Sequence, residues 1–76
     1  MVSLIYNYLT DSEKNEIIES RIKSHEYAMF NTQITKLEFL SVDPVDQIVI
    51  NDLETQILDL QAKIDLLKSE QAKLTL

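Results

Sequence analysis

Residues 50–74, INDLETQILDLQAKIDLLKSEQAKL, place Ile50, Leu53, Ile57, Leu60, Ile64, Leu67, Gln71 and Leu74 at alternating steps of three and four. That spacing puts all eight side chains on one stripe of one helix, a heptad seam with Ile at a and Leu at d. A strand with such a pattern would scatter the same residues over both faces. The stretch therefore predicts a long helix made to meet another helix, with Gln71 as a polar residue at an a position that fixes register.

The rest of the composition points the same way. The chain has 76 residues, and one core of that size supplies only a few kcal/mol of net stability. With no Cys and a single His, disulfides, thiolate sites and cysteine catalysis are excluded, and association with other chains remains as the stabilising device. No Gly and one Pro leave little scope for hairpin turns, P-loops or nucleotide-cradling loops, so long unbroken helices are expected. The net charge is −6, which disfavours direct contact with phosphate backbones and anionic lipid. No stretch approaches the ~20 apolar residues of a membrane span, and the first nine lack the basic start of a signal peptide. A soluble cytoplasmic protein is expected, with no membrane or nucleic-acid contact.

Upstream, Thr10-Asp11-Ser12-Glu13 reads as a capping box, with a helix following over residues 11–40. Early Asp11, Glu13, Glu16 and Glu19 suit the helix dipole, and Glu19 is spaced to pair with Lys23. Ile18, Ile22, His25, Met29 and Leu40 share one line of this helix, while Tyr27, Phe30, Ile34 and Leu37 lie roughly 60° to 180° around from it. So broad an apolar face needs at least two neighbours.

At Ser41-Val42-Asp43-Pro44 the chain breaks, and Pro44 at the first helical position with Asp43 as cap and Asp46 at N3 predicts a second helix over residues 44–74. Two helices of similar length and a short link make an all-α antiparallel helical hairpin with a coiled-coil second helix. Residues 1–9, whose pattern fits helix and strand alike, are expected to make an apolar N-terminal arm packed on the bundle. Two hairpins sharing their seams would close a four-helix bundle, so a homodimer is expected. In a parallel pair of second helices, Lys63 would face Lys68; in an antiparallel pair centred near Gln61, Glu54 faces Lys68, which is better.

Little chemistry remains. His25 belongs to no Glu-x-x-His or His-Glu-x-x-His pattern and reads as a border His, with a pH-responsive interface as the sharper alternative. Asp59, Asp65 and Glu70 are spaced to pair with Lys63, Lys68 and Lys73 as a solvated surface. No catalytic residue, metal or cofactor is expected. Two apolar surfaces are candidates for a protein partner: Ile5, Tyr6, Tyr8 and Leu9 of the arm, and the outer ridge Leu58, Ala62 and Leu66.

The run Leu9-Thr10-Asp11-Ser12-Glu13-Lys14, then Arg21-Ile22 and Glu26-Tyr27 before Phe30-Asn31, followed by the Ile/Leu heptad helix, resembles the short two-helix proteins of large tailed bacteriophages. The resemblance implies an accessory protein in the host cytoplasm, acting on a replication or recombination enzyme, and supplies no site residues. Taken together, the expectation is a non-enzymatic protein-interaction or scaffolding module. The alternative is an acidic inhibitor or nucleic-acid mimic that occupies a cationic protein site.

Overall fold

A computed structural model describes residues 8–75, which form two helices, α1 (Asp11–Leu40) and α2 (Gln47–Gln71), with no strand. The expected Ile5 and Tyr6 surface lies outside the described residues.

α1 starts where the capping box places it. The Thr10 hydroxyl accepts from the Glu13 amide at 3.1 Å, and the Glu13 carboxylate accepts from the Thr10 amide at 2.9 Å, so two otherwise orphaned N–H groups are satisfied. The Thr10 amide, followed by the Thr10 hydroxyl, donates toward the Glu13 carboxylate and holds that carboxyl below its ordinary pKa of 4.5, because a hydrogen bond to the carboxylate favours the charged form. At the other end the Ser41 amide donates to the Leu37 and Glu38 carbonyls, and its hydroxyl donates to Glu38 at 2.6 Å.

α2 begins three residues later than the sequence suggested. Asp46, not Asp43, is the cap: its carboxylate accepts from the amides of Ile48 at 3.1 Å and Val49 at 3.3 Å. Pro44 is therefore part of the link rather than the first helical residue. α2 also ends at Gln71 rather than Leu74, the last turn tightening into i to i+3 bonds such as Leu74 N–H to Gln71 O at 3.1 Å. With 25 residues against 30, α2 is the shorter arm of the hairpin.

The helices run antiparallel. Near the open end the Gln71 side-chain amide donates to Asn15 at 2.8 Å and to Glu19, and the Thr75 amide donates to Asp11 at 2.8 Å. Farther along, Lys36 pairs with Glu54 at 3.2 Å. Residues facing one another across the hairpin thus have numbers summing to about 86–90, and Ile22 falls opposite Ile64. These two, with Ile50 and Leu53, are the buried side chains among the described residues, Ile50 and Ile64 at 2% exposure. The remaining seam positions Ile57, Leu60, Leu67, Gln71 and Leu74 are half-buried.

The face read as an oligomer seam is occupied by α1 of the same chain, because the Ile18, Ile22, Met29 line offers it an apolar partner one short link away. Gln71 does fix a register, but that of the hairpin. Glu54 meets Lys36 of its own chain. Glu19 is bonded to Gln71 rather than paired with Lys23. Of the three expected pairs on α2, among the described residues only Glu70–Lys73 closes within 4 Å, at 3.2 Å.

One interface between two rods leaves an elongated molecule. The principal extents are 54 × 22 × 17 Å, and the radius of gyration is 17.2 Å, against about 11 Å for a compact domain of this length. Neither described helix is long and apolar enough to cross a membrane.

Candidate protein-interaction site

Steps of three, four and three along α1 carry Tyr27, Phe30, Ile34 and Leu37, which makes them a second stripe of heptad spacing. Their centre lies about 145° around the helix from the face that meets α2. The stripe is in water: Tyr27 is 69% exposed, Phe30 62%, Leu37 61% and Ile34 40%. Four large apolar side chains in a row differ from the scattered single leucines of ordinary surfaces, since contiguity is what a docking partner can cover.

The link end of the stripe runs into a shallow apolar groove between the helices. Gln33, Leu37 and Leu40 of α1 form one wall, and Glu54, Ile57 and Leu58 of α2 form the other, with Lys36 at the rim. The Lys36–Glu54 pair crosses this groove and gives it a polar edge beside an apolar floor. At the far end of the stripe Tyr27 and Phe30 sit beside Lys23 and Glu26.

A second groove lies at the open end of the hairpin and on its other side, where Leu9, Ile17 and Ile18 meet Leu67 and Leu74. Leu9 of the expected arm surface is half-buried in it, whereas Tyr8 is exposed. The outer ridge of α2 is where the sequence placed it, with Leu58 and Leu66 both more than 60% exposed and Ala62 exposed between them. Of its members only Leu58 adjoins the groove near the link.

His25 is half-buried on the same side of α1 as Ile22 and Met29. Among the described residues no three His, Asp or Glu side chains come together as a metal ion requires. The α1 stripe was named in the sequence only as part of a broad face. Its own spacing was the signal that sets it apart, since a four-residue run at 3-4-3 is the same pattern that marks the α2 seam.

No protein-family model, curated protein or solved structure matches this chain.

Proposed function

We propose that the hairpin is a small non-enzymatic scaffold that self-associates through the exposed stripe of α1. One observation carries this. A heptad-spaced row of Tyr27, Phe30, Ile34 and Leu37 stands in water on a chain whose other heptad seam is already used internally. Covering it is favourable, at about 1.5–3 kcal/mol for each large side chain that becomes fully buried. Two hairpins joined in this way make a four-helix assembly.

The part of the outer ridge beyond the groove, Ala62 and Leu66, then serves a protein partner, and the net charge of −6 argues against nucleic acid in that role. The likeness to short phage proteins supports an accessory part beside a replication or recombination enzyme. The same charge favours a second reading, an acidic inhibitor of a cationic protein site, which predicts that partner binding collapses with added salt.

Sedimentation equilibrium tests the main reading on the wild type, Phe30→Asp and Leu60→Asp. The expected result is a wild-type dimer, a folded Phe30→Asp monomer with intact helical circular dichroism, and an unfolded Leu60→Asp chain. A wild type that stays monomeric into the millimolar range overturns it.

A further inference from the structure

We infer that the occupant of the α1 stripe is α1 of a second copy, running antiparallel about a two-fold axis between Phe30 and Ile34. This rests on the self-association proposed above and specifies its interface. In this register the numbers of facing residues sum to 64. Tyr27 then meets Leu37 of the second copy, and Phe30 meets Ile34, so every aromatic ring lies on a branched aliphatic chain rather than on its own image. One surface serves both copies, as an isologous contact requires.

Charge decides against the parallel alternative. Continuing the 3-4 spacing toward the N-terminus brings in Lys23 and Glu16, and a parallel pair would stack Lys23 on Lys23 and Glu16 on Glu16. The antiparallel pair carries Lys23 opposite the other copy's Ser41, one turn from its Glu38, while Glu16 runs past the end of the opposing helix. Flanking the axis are the uncharged amides Asn31 and Gln33, each beside its own counterpart.

The area suffices. The exposed parts of the four stripe residues and Leu58 amount to roughly 500 Å² per copy, so about 1,000 Å² for the pair, the lower bound for a specific interface. The groove near the link accounts for Leu58: the second copy's Tyr27 enters it over Leu37 and Leu40, with its hydroxyl toward the Lys36–Glu54 edge. The two-fold lies closer to the link than to the open end, so the copies overlap only over their link halves. The dimer is then about 75 Å long, against 54 Å for one hairpin.

The chain has no Cys, so single cysteines report the register. With a short bis-maleimide reagent, Gln33→Cys is expected to couple to itself. Ser24→Cys and Glu38→Cys are expected to stay single alone and to couple when mixed, and small-angle scattering is expected to give the longer dimension. All three positions are exposed, so the variants retain the fold. A dimer in which Ser24→Cys and Glu38→Cys fail to couple, in which Gln33→Cys couples to Glu38→Cys instead, or whose length stays near 54 Å overturns this interface and leaves the self-association reading standing. A monomer overturns both.

Discussion

Ile64 and Leu66 are two residues apart on α2, yet one is sealed against α1 at 2% exposure and the other is 62% exposed. Truncating each to Ala separates the interface within the hairpin from its outer face. Ile64→Ala removes three carbon atoms, worth about 0.8 kcal/mol each on transfer, and adds a cavity term, for about 3 kcal/mol in all. Leu66→Ala removes a side chain that water already surrounds and should change stability by no more than about 0.5 kcal/mol. A domain of this size has about 4–11 kcal/mol in total, so the first change is a large fraction of it and the second is lost in the error. In thermal terms Ile64→Ala lowers the midpoint by more than ~10 °C. Urea denaturation followed by helical circular dichroism reads both, at one fixed protein concentration so that association does not enter the difference. Equal losses at the two positions would mean that the pairing of α2 on α1 is wrong.

Other substitutions probe the ends of the helices. Thr10→Ala should cost about 1 kcal/mol by removing the oxygen that holds the Glu13 amide, measured by the same denaturation. The Glu13 carboxyl is depressed below 4.5 by its bonds to Thr10, so its contribution is fully present above that pH and is lost as pH falls through the lower folded value. Glu13→Gln should therefore differ from the wild type at pH 7 and converge with it in acid, and a constant difference across the titration contradicts the capping box. Gln71→Leu keeps an apolar chain in the seam but deletes the bonds to Asn15 and Glu19. Hydrogen exchange should quicken in the first turns of α1 while amides around Ile50 and Leu53 keep their protection.

Much of this architecture was visible in the order of residues. The 3-4 spacing from Ile50 to Leu74 marks a helix and its sticky face because a period of 3.5 admits no other element. Thr10 and Glu13 mark the start of α1 because their chemistry is local and acts within one turn. Asp43 and Asp46 illustrate the limit: each is a good cap, and Pro44 suits the first helical position, so local chemistry alone does not choose between them. The partner of the seam was beyond reach for a deeper reason. An apolar stripe is indifferent to whether the helix that covers it comes from the same chain or another, and only the proximity created by the six-residue link decides. Gln71 bonding to Asn15 and Glu19, more than 50 residues away, is a consequence of that pairing and leaves no local mark.

The hairpin is closed at its two ends by different means. Near the link the chain itself joins the helices and Ile50 and Leu53 are sealed, while the open end is held by Gln71 and Thr75 through hydrogen bonds that are mostly exposed. Bonds of that kind contribute only about 0.5–1.5 kcal/mol each. Thermal opening therefore starts where Leu9 and Leu74 meet and travels toward the link, like a clasp released from its free end. The stripe from Tyr27 to Leu37 sits on the half that opens last, so the surface offered to a second copy keeps its shape while the opposite tip breathes.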